Sequence, residues 1–258
     1  MSPRPRWRYV QARLQARHGE RLSEADWRML EAARSLDHFL ERARGTPLRR
    51  FTERLNAGVT SHAIERLLRM SWRTYVAEVA GWLDRDWQPA VLWAAHVADL
   101  PAINALLRGE APAWAKQDSA LAAFAEGNPL QRSAALENSP LAPLLPAPGR
   151  GTSLAHRWAA HWQLLWPRSG RAETHGLHNL IAVVAAHAVQ LALAAPPGTS
   201  PPHRLEVAKR LTRLFRQNGA SPAAVFSHLA LAALDLERLR GNLVRRRLFE
   251  TTGVREAA

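Results

Sequence analysis

Thr60-Ser61-His62-Ala63-Ile64-Glu65-Arg66-Leu67-Leu68-Arg69-Met70-Ser71-Trp72-Arg73-Thr74-Tyr75-Val76-Ala77-Glu78-Val79-Ala80-Gly81-Trp82-Leu83 carries the period that decides the fold. Ile64, Leu67, Leu68, Trp72, Tyr75, Val76, Val79 and Trp82 recur every three or four residues, which gathers them on one side of a helix. Thr60 or Ser61 supplies the capping hydroxyl. The same period spreads in both directions. Upstream, Trp7–Leu14 begins a helix with arginines on one side, and Ser23 with Asp26 forms a capping box for a helix through Ala33. Ser35 caps a third helix, with Leu36, Phe39, Leu40 and Ala43 at helical spacing; Gly45 stops it and Thr46-Pro47 starts a short fourth. Downstream, Asp86 with Pro89 opens a helix through Val97, and further helices are expected over Leu154–Leu165, Leu177–Ala194, Arg204–Asn218 and Pro222–Phe249. No window alternates β-branched residues in the manner of a strand. The expected fold is all-α and multi-helical.

Proline and glycine divide the chain. Pro112, Pro129, Pro140, Pro143, Pro146 and Pro148, closed by Pro148-Gly149-Arg150-Gly151, mark 111–152 as a Pro-rich connection with at most short helices such as Ala120–Ala125. An N-terminal helical subdomain region at 1–110 and C-terminal helical subdomains at 153–258 flank it, with a candidate sub-boundary near 196–202.

The 258 residues are 47% hydrophobic and 22% charged, the profile of a folded globular chain. With no cysteine, disulfides, thiolate metal sites, iron–sulfur clusters and thiol nucleophiles are excluded. The formal charge of +13 suits an acidic partner. The positive charge is nearly all arginine, since only Lys116 and Lys209 are lysines, which also fits a compositional bias at ordinary surface positions. Met1–Arg8 has no apolar core, so no secretory signal is expected there. The apolar stretch Leu177–Ala195 is interrupted by His178, Asn179, His187 and Gln190, and reads as a buried helix rather than a membrane span.

A short motif recurs. Asp99-Leu100-Pro101-Ala102-Ile103-Asn104-Ala105-Leu106-Leu107-Arg108 is followed by Gly176-Leu177-His178-Asn179-Leu180-Ile181-Ala182-Val183-Val184 and Asp235-Leu236-Glu237-Arg238-Leu239-Arg240-Gly241-Asn242-Leu243-Val244. Each copy places an apolar residue first, another three later and a third four beyond, all on one helix face. Any amphipathic helix produces that spacing; the added signal is the aspartate before leucine in two copies. Three such units predict pseudo-repeated helical subdomains arranged as a funnel or partial ring.

Tyr9-Val10-Gln11-Ala12-Arg13-Leu14-Gln15-Ala16-Arg17, then Arg21-Leu22-Ser23 and Leu36-Asp37-His38-Phe39-Leu40, resembles the opening of the V-type/A-type ATPase C-subunit (eukaryotic d-subunit) family. Asp99–Arg108 resembles the family's Asp-Leu-x-x-Ile/Leu-x-x-Leu-Leu-Arg motif, Asp235–Arg247 its terminal copy, and Leu177-His178-Asn179-Leu180 its Leu-x-Asn-Leu form, with Gly176 where the acidic residue would stand. The resemblance covers residues 7–108 and 222–250. It implies a non-catalytic, all-α socket protein without cofactor, held between the rotor shaft and the proteolipid ring of a rotary ATPase. That would place it in the cytoplasm, peripheral to the membrane through its partners in the motor. Arg13 and Arg17 on the first helix, with Arg238, Arg245, Arg246 and Arg247 near the end, are the expected partner contacts. For the run at 238–247, the plainer reading is a solvated helix end complementing the macrodipole.

Rival chemistries have less support. His156 and His161 lie five apart, and of His175, His178 and His187 only the first two have metal-ligand spacing, with Glu173 the one carboxylate nearby; no His-Glu-x-x-His occurs. Neither a Gly-x-Ser-x-Gly elbow nor a phosphate loop is present. The ten tryptophans include Trp158, Trp162 and Trp166 at i, i+4, i+8, a stripe expected in packing rather than in base stacking. No enzymatic activity, cofactor or metal is expected. The alternative is a basic helical nucleic-acid-binding or adaptor protein, although nucleic acid is not the expected partner.

Overall fold

The computed structural model describes residues 5–146, 152–168, 171–193 and 201–256. Among the described residues about three quarters are helical, in thirteen α-helices and three short 3₁₀ turns, with no strand. In chain order the helices are α1 (Pro5–Gly19), α2 (Glu24–Glu31), α3 (Leu36–Arg44), α4 (Arg49–Thr52), α5 (Ser61–Ala80), α6 (Gln88–Trp93) and α7 (Leu100–Leu107). They continue with α8 (Ala122–Ala125), α9 (Pro129–Glu137), α10 (Leu154–Leu164), α11 (Arg171–Leu193), α12 (Pro201–Gln217) and α13 (Pro222–Glu256). The all-α expectation is met.

Helix starts follow side-chain chemistry. Ser23 Oγ accepts the Asp26 N–H while Asp26 accepts the Ser23 N–H at 2.8 Å, a complete capping box on α2. Ser35 caps α3 through the His38 N–H. Thr60 rather than Ser61 caps α5, its Oγ1 accepting the Ala63 N–H at 3.1 Å. α5 ends at Ala80, before Gly81, so Trp82 and Leu83 follow the helix but remain buried. Gly45 closes α3 with φ −74°, so the stop does not depend on a left-handed backbone.

The chain packs as two compact units, each assembled from three stretches. Unit 1 takes Met1–Gly19, Val76–Val97 and Pro146–Asp235; unit 2 takes Glu20–Tyr75, Ala98–Leu145 and Leu236–Ala258. Compact units and consecutive segments are therefore different partitions of this molecule. The stretch 111–145 shows why. Trp114, Ala115, Leu121, Phe124, Leu136, Leu141 and Leu144 are buried in it, so its prolines punctuate a packed segment of unit 2 rather than a loose one. It also contains α9, opened by the capping box of Asn128 and Gln131 with Pro129 at the first turn. The Pro/Gly blocks at 148–151 and 196–200 lie outside the described residues.

Unit 1 has an aromatic core. Trp93 Nε1 donates to the Trp158 carbonyl at 3.1 Å, and Trp158 Nε1 donates back to the Trp93 carbonyl at 3.4 Å, tying α6 to α10. Trp162 stacks on Trp158 with ring centroids 5.6 Å apart and meets Phe226 of α13 edge-on at 4.7 Å, while Trp166 meets His178 of α11. The Trp158/Trp162/Trp166 stripe thus welds helices within unit 1. On its other side, His18 of α1 stacks on Phe215 of α12 at 4.4 Å. The α12–α13 turn holds Ala220 at φ 54°, and its N–H donates to Gln11 Oε1 at 2.9 Å.

Unit 2 buries Trp27, Leu36, Phe39, Leu40, Leu55, Ile64, Trp72, Ile103, Leu121, Leu239 and Leu243. Each such side chain contributes about 1.5–3 kcal/mol relative to exposure.

The three motif copies sit in different local settings. Asp99 precedes the first turn of α7, Gly176 lies within α11, and Asp235 lies inside the 35-residue α13. Their central apolar residues, Ile103, Leu180 and Leu239, are all buried. Gly176 has its own reason: a Cβ there would collide with the Asn218 side chain and come within 2.7 Å of Ala223 Cβ, so no acidic residue fits. In α11, Leu177 and Leu180 are buried whereas Ala182, Ala185 and Ala186 are exposed, so the apolar stretch is covered along one side only.

Among the described residues no single helix is long and apolar enough to cross a membrane. The consecutive segments Gln88–Ala98 and Leu100–Leu107 reach that composition only together, and Ala90, Val91, Trp93, Ala102 and Ile103 within them are buried in the protein.

Candidate functional site

The densest collection of ionised side chains is in unit 2, where it forms two arginine-centred networks. The first grows from α5. Glu65, Arg69 and Arg73 stand four residues apart, so they rise along one side of the helix beside its apolar face. Arg73 donates to Asp99 at 2.8 Å through one nitrogen and ion-pairs with Asp118 at 2.9 Å through another. Arg69 pairs with Glu65, lies 3.7 Å from Asp99 and sits 4.1 Å over the Trp114 ring. Arg240 of α13 reaches Glu65 at 2.5 Å. The set balances: three guanidiniums face three carboxylates. Asp99 and Asp118 are essentially inaccessible, which such burial permits only with partners of opposite charge.

The electrostatics are mutual. Burial pushes the Glu65 carboxyl up, but hydrogen bonds and charge from Arg240 and Arg69 outweigh it and hold the group below the ordinary glutamate value. Burial pulls the Arg73 guanidinium down, yet the Asp99 charge and the hydrogen bond to Asp118 carry it above its usual value. Both effects keep the ions charged.

The second network clasps α2 against α13. Arg238 bridges Glu24 and Glu31, one helical face apart, at 2.8 Å each, and its guanidinium lies 4.7 Å over the intervening Trp27 ring. Asn242 donates to Glu31 at 2.9 Å. Arg246 donates to the carbonyls of Glu31 at 2.8 Å and Ala33 at 3.0 Å, and rests 4.3 Å over Phe39. The Glu31 carbonyl is one of the unsatisfied C-terminal acceptors of α2, where a cation also complements the macrodipole, and the Ala33 carbonyl lies just past the C-cap. Glu31 titrates below its ordinary value: burial opposes this, and the bonds from Arg238 and Asn242 and the charges of Arg238 and Arg245 overcome it.

The expected partner contacts therefore divide. Arg238 and Arg246 are engaged inside unit 2, and Arg246 is only 6% exposed. Arg245 is exposed, with its guanidinium 3.3 Å from Asn242 Oδ1, and Arg247 is half-buried. In unit 1, exposed Arg13 bonds Tyr9 and lies 4.8 Å from the Trp82 ring, and Arg17 ion-pairs with Glu78 at 3.2 Å. The six arginines thus belong to two separate units, Arg13 and Arg17 to the first and the α13 set to the second.

Histidine chemistry finds no assembly. Among the described residues no three His, Asp or Glu side chains are placed to hold a metal ion. His156 is exposed, His178 Nδ1 meets the Thr174 carbonyl at 2.9 Å, and His161 packs 4.5 Å from the Trp93 ring, where burial lowers its pKa. The side chains of Glu173, His175 and His187 lie outside the described residues. A shallow depression of about 340 Å³ in unit 2 is lined by Glu20, Asp26, Met29, Leu30, Arg42 and Pro47 among others, and its Asp26 carboxylate is engaged in the capping box of α2.

The Arg73–Asp99–Asp118 set is what sequence reading missed. Its signal was the i, i+4, i+8 spacing of Glu65, Arg69 and Arg73 in an otherwise apolar helix, together with an aspartate heading a repeated motif. No known protein family, curated protein or solved structure matches this chain.

Proposed function

We propose that this chain is a non-catalytic coupling protein, a stiff helical socket joining the rotor shaft to the proteolipid ring of a V/A-type rotary ATPase on the cytoplasmic face of the membrane. The observation that carries this reading is the position of Asp99. The acid heading the first motif copy is fully buried and joins α5 and the Asp118 turn through Arg73, a tie that supports reading the motif as structural reinforcement. The second network adds to it: its arginines bind helix to helix and present no reactive group to a cavity. A body that transmits torque needs such cross-links, because directional ion pairs and hydrogen bonds resist sliding more than apolar contact alone does.

Affinity purification of the tagged full chain from its native membranes tests the reading. Co-purification with proteolipid and shaft proteins is expected. Recovery without either, from membranes that contain an intact rotary ATPase, overturns it.

A second reading, nucleic-acid binding, is favoured by one observation. Unit 1 has fifteen basic residues against six acidic ones, whereas unit 2 has twenty against sixteen. On α12, Lys209, Arg213 and Arg216 share one exposed face. This reading requires duplex DNA or RNA to bind with an affinity that falls steeply between low and moderate salt.

A further inference from the structure

α12 packs into unit 1 through one side and turns a row of cations outward. At about 100° per residue, Val207, Leu211 and Phe215 fall on the inner side, and all three are buried. Lys209, Arg213 and Arg216 fall within an outer arc of about 60°, and all three are exposed. Among the described residues none of these three side chains has an ion pair, hydrogen bond or ring contact. Glu206, the one carboxylate of α12, stands at the edge of the arc and is paired with Arg210 at 3.1 Å. The helices packed against α12 add no described negative charge. α1, whose His18 stacks on Phe215, has no acidic residue along its length, and its Arg17 is already paired with Glu78. α11, whose Gly176 lies against Asn218, has no acid among its described side chains, and the first turns of α13, where His228 meets Phe215, have none either.

We infer that this row is a docking surface for the sugar-phosphate backbone of duplex DNA, contacted along one strand without regard to base sequence. Three observations choose the occupant. Lys209 and Arg216 stand about 10.5 Å apart along the helix axis at 1.5 Å per residue, and one DNA strand offers a phosphate about every 3.4 Å of axis. A strand beside the row therefore presents about three phosphates to three cations. The apolar side of α12 is spent on the core of unit 1, so the helix has no apolar face left to bury in a lipid interface or to anchor a protein partner. Leu205 alone among its described large apolar side chains is exposed, at 38%. Single strands are held by bases stacking on aromatic rings, and the one aromatic of α12 other than histidine, Phe215, is fully buried. The inference rests on the nucleic-acid reading above, to which it gives a site, and is independent of the rotary-ATPase reading.

The test uses the full chain and two labelled DNA duplexes of unrelated sequence, read by fluorescence anisotropy between about 50 and 200 mM salt. Both duplexes are expected to bind equally well. The triple variant Lys209→Gln, Arg213→Gln, Arg216→Gln is expected to bind at least about tenfold more weakly at the lower salt and to flatten the slope of log affinity against log salt by about 3. Each single replacement should flatten it by about 1, with unchanged helical circular dichroism. A control triple, Arg34→Gln, Arg42→Gln, Lys116→Gln, removes the same charge from exposed unit 2 side chains that have no described partner, and should change affinity far less. Absence of duplex binding by the unaltered chain overturns the nucleic-acid reading and the inference together. Binding that the α12 replacements leave intact, or that both triples weaken equally, overturns the inference alone. So does tighter binding of duplex RNA than of DNA, or sedimentation with phosphatidylglycerol vesicles that the α12 triple abolishes and DNA does not compete away.

Discussion

Unit 1 and unit 2 solve the same packing problem with different materials. Seven of the ten tryptophans, Trp7, Trp82, Trp87, Trp93, Trp158, Trp162 and Trp166, belong to unit 1, where rings meet edge-on or stacked and indole N–H groups bond backbone carbonyls. Unit 2 keeps three, Trp27, Trp72 and Trp114, and places a guanidinium over two of them. Aromatic contact is broad, pH-independent and tolerant of small shifts. Buried ion pairs are directional, and removing one member leaves its partner charged in a poor solvent. Similar cohesion is therefore expected to fail in different ways, and the predictions below exploit that.

The largest effect is expected for Asp99→Ala. It strands Arg73 and loosens Arg69, and should lower stability by about 3–5 kcal/mol, read as a fall in the urea midpoint. A double-mutant cycle with Arg73→Ala should show coupling of at least about 1 kcal/mol, and additive losses would show that the two side chains act independently. Trp162→Ala in unit 1 should cost about 3–4 kcal/mol through the space it leaves, with a loss that is the same at low and high salt. If the Trp162 loss varied with salt while the Asp99 loss did not, the contrast between the units would be reversed. Gly176→Ala, against Asn218 and Ala223, should cost about 1–3 kcal/mol in thermal or urea unfolding.

Acid should separate the units without mutation. Glu31 and Glu65 have folded pKa values below the ordinary one near 4.5. Their contribution is complete above that value and is lost as pH falls through the lower folded values. His161 of unit 1 has its pKa lowered from 6.5 by burial, so the unfolded chain takes up that proton first and stability declines as pH falls below about 6.5. Segment-resolved hydrogen exchange should therefore show α10 loosening slightly as pH falls below 6.5, while α2 stays protected until below pH 4.5. The smallest effect is a gain: Gly241→Ala should add about 0.5–1 kcal/mol, measurable as a higher urea midpoint.

Much of the fold was legible because helix signals are local. Ser23, Ser35 and Thr60 announce their helices through bonds to residues three positions on, and the period of Ile64 to Val79 marks a buried face directly. What was not legible depends on distance along the chain. Asp118 lies in the Pro-rich connection with no local pattern around it, and its role exists only because Arg73, forty-five residues away, comes to it. Arg238 and Arg246 read as partner contacts or, more plainly, as a solvated basic run for the same reason: the groups they bind, Glu24, Glu31 and Ala33, lie more than two hundred residues upstream. A charge run names its residues but not their partners. α9 was missed for a smaller reason, since its Asn128–Gln131 box was overshadowed by the prolines around it.

The α12–α13 turn has a consequence for how this protein is handled. Alanine in the left-handed region costs about 1–2 kcal/mol, and the bond that offsets it at Ala220 comes from Gln11, near the start of the chain. Cutting away the N-terminal nineteen residues would remove that latch together with the ring stacked on Phe215. A trimmed chain should then be nicked by protease between Gln217 and Pro222, far in sequence from the cut. Tags and truncations at the front of this molecule are in effect edits to its last hinge.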